Sequence, residues 1–181
     1  MATKTQSPTK PKLDFTSGWN YAPSPESTDH IRRETRYAQF INGEFVKPAS
    51  VKDVPTIYPA TDKVIAEVAR GDARDIDKAV KPARNAYEKV WKKMPGSGRG
   101  KYLYRIARIM QERARELSVI ETLDGGKSIR ESRDIDIPLA AAHFFYYAGW
   151  ADKLEYAFPN REVSPVGVAG QIIPWNFPLL M

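Results

Sequence analysis

The 181-residue sequence contains no cysteine. That excludes disulfides, Cys-ligated zinc, iron–sulfur clusters and a thiol nucleophile supplied from within these residues. Histidine is nearly as scarce. The two, His30 and His143, are too far apart in sequence to signal a metal cluster. No apolar run approaches the roughly 18 residues of a membrane span, so no membrane partner is expected. No G-x-G-x-x-G occurs, so the standard dinucleotide fingerprint is missing. The opening MATKTQSPTKPK lacks the apolar stretch of a secretory signal, which makes the cytoplasm the expected compartment.

What is present fits a soluble globular protein. Apolar residues make up 42% and charged residues 28%, and a chain this long can bury a core without staples. The formal net charge is +6. Lys and Arg are interleaved with Asp and Glu almost throughout, so the charge reads as a solvated surface and no nucleic-acid partner is expected.

Residues 1–36 read as a disordered, basic and Pro-rich tail, with apolar side chains only at intervals. Regular structure is expected from Tyr37. Phe40-Ile41-Asn42-Gly43-Glu44-Phe45-Val46 places two apolar arms around Asn-Gly, the signature of a type I′ hairpin. Val54 to Ile57 and Val64 to Val68 form a second pair around a Pro-Ala-Thr-Asp turn. Asp72 or Asp75 can cap a helix through Val90, which Pro82 should bend or delay. A second helix is expected from about Arg99 to Leu123, after a Pro-Gly-Ser-Gly break. A third opens at Ser128 and is divided by Pro138. Leu139 to Lys153 is apolar nearly all round, which predicts burial on all sides. Val166 to Ile173 reads as a strand covered on both faces, as in a parallel sheet.

Gly96-Ser97-Gly98-Arg99-Gly100-Lys101 resembles a phosphate loop only superficially. Its spacing is wrong, Tyr102 replaces the hydroxyl residue, and a helix precedes it, so it reads as an interhelix turn. Asp134, Asp136, Asp72, Asp75 and Asp77 lie among basic residues near helix starts, where the helix dipole accounts for them. The Asn176 segment differs. Pro174 and Pro178 bracket Trp175-Asn176-Phe177 and fix the backbone beyond a strand end, where α/β sheets place binding residues. The residues alone leave two readings open: an amide aimed at an oxyanion, or an Asn tying the turn to its own backbone.

The run PVGVAGQIIPWNFPLLM resembles the signature segment of the NAD(P)-dependent aldehyde dehydrogenase superfamily. FINGEFV, PATDKVIAEV, ETLDGGK and YYAGWADK resemble further segments of that family, in the same order, from Tyr37 to Met181. The fold this implies is α/β and aldehyde dehydrogenase-like: an incomplete N-terminal part of the NAD-binding domain over 37–153. A shortened oligomerisation-arm segment follows over 154–164. Residues 165–181 then hold the first strand of the dinucleotide-binding sheet and the oxyanion turn.

The resemblance also implies roles. Asn176 is the catalytic oxyanion donor. Ile172, Ile173, Pro174 and Trp175 lie along the nicotinamide–ribose side of NAD or NADP. Phe177 and Met181 line the aldehyde channel. Ile57, through its carbonyl, and Asp124 contribute to a structural monovalent-cation site. The family's nucleophilic Cys, general-base Glu and ribose-holding residues belong to later segments. These 181 residues alone are therefore expected to be inactive, and the whole protein to be an aldehyde-oxidising homo-oligomer. The competing expectation is a non-catalytic paralogue that pairs with a full-length subunit.

Overall fold

A computed structural model describes residues 31–50 and 52–181. Most of the expected tail, His30 included, lies outside these residues. Its last part does not behave as a tail: Ile31 is buried against Val119 and Leu123, and Arg36 enters a ladder.

Strands β1 (Arg36–Tyr37), β4 (Asp53–Tyr58) and β5 (Lys63–Ala69) form a sheet of order β1-β5-β4, with β1 parallel and β4 antiparallel to β5. Between them, β2 (Gln39–Ile41) and β3 (Glu44–Val46) make the expected hairpin. Asn42 and Gly43 have φ of 55° and 87°, the left-handed pair that a type I′ turn requires. The β4–β5 turn closes through the Asp62 N–H on the Tyr58 carbonyl at 2.9 Å. A bulge falls between Thr56 and Ile57.

Helix α1 (Ala73–Lys89) begins at Asp72, whose carboxylate accepts from the Arg74 N–H while Asp75 returns a bond to the Asp72 N–H. That capping box fixes the start, and the helix runs on through Pro82 rather than beginning after it. The sequence pattern predicts one continuous helix next. Instead α2 (Gly96–Glu112) and α3 (Ala114–Gly125) meet at Arg113, which leaves the helical region at φ −102°, ψ 15°. The two pack on different neighbours. Met110 of α2 is buried against Ala140 and Ala141, while Val119 and Leu123 of α3 face Ile31. A straight helix would not serve both. The glycines at 96–100 form the first turn of α2, not the turn before it.

Ser128 caps α4 (Ile129–Glu131), which passes through a π-helical turn (Ser132–Asp136) into α5 (Ile137–Ala151). Pro138 therefore lies in the first turn of α5, where its missing N–H has least consequence, and it does not divide the helix. Burial of α5 is one-sided. Ile137, Ala140, Ala141 and Ala148 are buried, whereas Tyr146, Tyr147 and Trp150 are exposed. Leu154, Ala157 and Phe158 border that aromatic side without covering it. A short helix, α6 (Leu154–Ala157), follows.

The strand expected over Val166–Ile173 forms no ladder among the described residues. An extended segment becomes a strand only when neighbouring strands take its N–H and C=O groups. Here it is held at its start, where the Tyr87 hydroxyl donates to the Pro165 carbonyl at 2.8 Å.

Helix α2 lies close against α5. A Cβ on Gly96 would run into the Ala151 carbonyl, and one on Gly100 would sit 3.0 Å from the Ala148 carbonyl. Gly96→Ala should destabilise the fold by about 1–3 kcal/mol, the usual cost of overpacking. Urea denaturation measures it, and an unchanged midpoint contradicts the contact.

Candidate functional site

The site is built on the α2–α3–α5 surface. Leu179 and Leu180 pack against the buried Met110, Ala140 and Ala141. Pro178 and Leu179 share a cavity of about 260 Å³ with Leu117, Ile120, Glu121 and Asp124. The Met181 N–H donates to the Phe177 carbonyl at 3.1 Å and closes the turn. These anchors hold one end of Trp175-Asn176-Phe177, and Pro174 stiffens the other.

The resulting arrangement faces outward. Asn176 is exposed, and so are Ile172, Ile173, Pro174 and Trp175 before it. Ile172 and Trp175 have almost no protein contact on their side chains, with 101% and 91% exposure. A run of bare apolar side chains beside an exposed amide fits one wall of a cleft that takes a flat, partly apolar group. Phe177 is half-buried and Met181 exposed.

Ile57 and Asp124 belong to β4 and the end of α3, which pack on each other. Asp124 shares a cavity of about 300 Å³ with Thr56, the neighbour of Ile57, but Ile57 itself does not line it. Among the described residues no group of three or more His, Asp or Glu converges as a metal site.

The sequence reading missed Lys127. Its ammonium donates to Asp136 Oδ2 at 2.5 Å, lies 3.4 Å from Glu121 Oε1, and sits 4.3 Å from the centroid of the Phe177 ring. Asp136 is fully buried, so its expected role at a helix dipole is replaced by an ion pair. Asp134, by contrast, is exposed and pairs with Arg133 at 2.6 Å. The Gly-Gly-Lys run is visible in the sequence, but only the π turn brings Asp136 to its lysine.

Burial pushes the Glu121 carboxyl up. Lys127 pulls it down without cancelling that, and Asp136 and Asp124 add to the rise. Burial lowers the Lys127 ammonium, but Asp136 and then Glu121 outweigh it, so its affinity for the proton is raised. A carboxyl with a raised folded pKa binds its proton more tightly in the folded state. Stability therefore falls as pH rises from the ordinary value of 4.5 through the raised one. Glu121→Gln should flatten that fall. Denaturant midpoints measured from acid to neutral buffers test it, and an unchanged pH dependence contradicts the burial of this charge.

Residues 45–181 match the aldehyde dehydrogenase family. The chain is 49% identical over 150 residues to the mitochondrial aldehyde dehydrogenase family 2 member B4 of Arabidopsis thaliana, covering 78% of this chain and 28% of that protein. It is 44% identical over 154 residues to the human mitochondrial aldehyde dehydrogenase, covering 78% and 29%. The structure superposes on an indole-3-acetaldehyde dehydrogenase in apo form with TM-score 0.75 and 34% identity, over 82% of this chain and 36% of that one. The P. syringae indole-3-acetaldehyde dehydrogenase, solved with NAD+, gives TM-score 0.76 and 35% identity over 85% and 32%. The chain thus spans less than a third of the length of these curated relatives. Its fold is a part of the aldehyde dehydrogenase NAD-binding domain, and the chain belongs to the aldehyde dehydrogenase family.

Proposed function

We propose that these residues form the oxyanion-binding and nicotinamide-facing side of an NAD-dependent aldehyde dehydrogenase active site. The carrying observation is the Pro174–Met181 turn. It is pinned from below by Leu179 and Leu180, yet leaves the Asn176 amide and the Ile172 and Trp175 side chains bare. The NAD+ held by the solved P. syringae neighbour supports NAD over NADP.

In the whole protein, a thiolate from outside these residues adds to the aldehyde carbon. The C=O electron pair moves to oxygen, and the Asn176 amide N–H donates to the oxyanion as it forms. NAD, when bound, supplies the acceptor for the hydride that leaves that carbon. The resulting thioester is hydrolysed to the carboxylic acid. Ile172, Ile173, Pro174 and Trp175 present the wall for the nicotinamide and its ribose and keep water from it. Phe177 and Met181 border the aldehyde path. The Ile57 carbonyl and the Asp124 carboxylate would supply two oxygen ligands to a monovalent cation, a hard ion that prefers oxygen. Residues 154–164 would be a shortened oligomerisation arm, and the whole protein a homo-oligomer.

A second reading has one observation in its favour: Val166, like Ile172 and Trp175, stands bare, at 99% exposure. A non-catalytic chain could bury these apolar groups against a full-length subunit.

The 181 residues alone should produce no NADH from NAD and a panel of aldehydes, since they hold no cysteine. The whole protein should. Asn176→Ala in it should lower kcat by about 10²–10³, the usual loss for an oxyanion donor, with little change in KM. Steady NADH production by the 181 residues, or an Asn176→Ala enzyme of undiminished kcat, overturns the proposal. A whole protein that oxidises no aldehyde but co-elutes with an active homologue favours the second reading.

A further inference from the structure

We propose that Lys127 is a positioning residue for Asn176, acting through the Phe177 ring; this rests on the reading of Asn176 as the oxyanion donor. Helix α3 ends at Gly126, which has φ +70° and whose N–H donates to the Thr122 carbonyl at 2.9 Å. A Cβ there would lie 2.8 Å from Pro59, so both the left-handed backbone and the space demand glycine. That cap returns the chain and delivers the Lys127 side chain into the interior, 12% exposed. The opposite wall is the π turn. Ser132 is buried and its hydroxyl oxygen accepts from the Thr122 hydroxyl at 3.0 Å, which pins the turn to α3 and brings Asp136 to the ammonium. π turns inside helices recur at functional positions because they redirect side chains without ending the helix.

The ammonium is thus held by two carboxylates and lies against a ring, at 2.5 Å, 3.4 Å and 4.3 Å respectively. A lysine stem is flexible, but one fixed by Asp136 and Glu121 cannot follow a moving ring. The cation is attracted to the ring face, so the ring is located in turn. Phe177 is the residue after Asn176, and its carbonyl is already tied to the Met181 N–H. Ring and backbone together fix the place from which the Asn176 amide projects. Stability alone does not account for this arrangement. Desolvating two carboxylates and an ammonium offsets most of their attraction. Asp136 Oδ1, moreover, is buried with no hydrogen-bond partner among the described residues.

The test uses the whole protein with active sites titrated, so that kcat counts folded sites only. Lys127→Met combined with Asp136→Asn removes the clamp together with its fully buried carboxylate, leaving only Glu121, whose carboxyl burial already pushes up, without the ammonium. It should lower kcat about 10-fold, within the loss that misplacement of a catalytic group causes, and leave the KM for NAD unchanged. Lys127→Arg, which keeps the charge over the ring, should recover most of the rate. In a Phe177→Leu background the same double change should cost nothing further, because the path to Asn176 is already cut. Equal losses with and without Phe177, or full kcat per titrated site, overturn the positioning role. If the double variant does not fold, the unmutated protein decides. Upfield ring-current shifts of the Lys127 Hε protons that vanish in Phe177→Leu support the clamp, and ordinary shifts overturn it. Absence of aldehyde oxidation by the unmutated protein is the separate failure of the functional reading, and the role falls with it.

Discussion

Helices α2 and α5 approach closely enough that backbone, not side chain, sets their separation, and the site is assembled on the surface this creates. Gly96 and Gly100 face the carbonyls of Ala151 and Ala148. Ala107, Ala140, Ala141 and Ala148 are all buried. Small residues at a helix crossing exchange side-chain volume for proximity, and the gap left toward α3 is filled by Met110, Leu117 and Phe144. Leu179 and Leu180 dock on that cluster. Because they follow Asn176 by three and four residues, their docking decides where the amide stands.

The acidic residues show how partners, more than residue type, assign roles. Asp75 is buried, and burial pushes its carboxyl up. The N–H groups of Ala49, at 2.8 Å, and Asp72, at 3.1 Å, outweigh that, so it stays ionised more readily than usual. It ties the loop before β4 to the start of α1. Asp136 is equally buried but meets an ammonium, and through it an aromatic ring in the site. Glu121 shares the same ammonium at longer range and keeps its raised pKa. Three buried carboxylates therefore do three different things: a helix cap, a clamp and a secondary support.

The parts of the fold legible in the sequence are those governed by local chemistry. Asn42-Gly43 dictated its hairpin, and Thr61-Asp62 its turn, since few residues accept those dihedral angles. Asp72 and Asp75 marked the start of α1 three residues apart. Contacts between distant segments were not legible. The break at Arg113 arises because α2 and α3 serve different neighbours. The uncovered Tyr146 and Trp150, and the unpaired stretch 166–173, depend on surroundings that these residues do not supply. At the site, two prolines around Trp-Asn-Phe gave the turn away. Lys127 stayed hidden because its principal partner is nine residues along the chain and reaches it only through a π turn.

The proposed role of the Asn176 amide is that of donor to the oxyanion, from a turn that the helical surface holds in place. The most direct measurement is a structure of the whole protein with NAD and an aldehyde trapped as its covalent adduct. The adduct oxygen is expected within hydrogen-bond distance of Asn176 Nδ2, with Ile172 and Trp175 now covered. An adduct oxygen directed away from Asn176, with that amide bonded to its own turn, would contradict it.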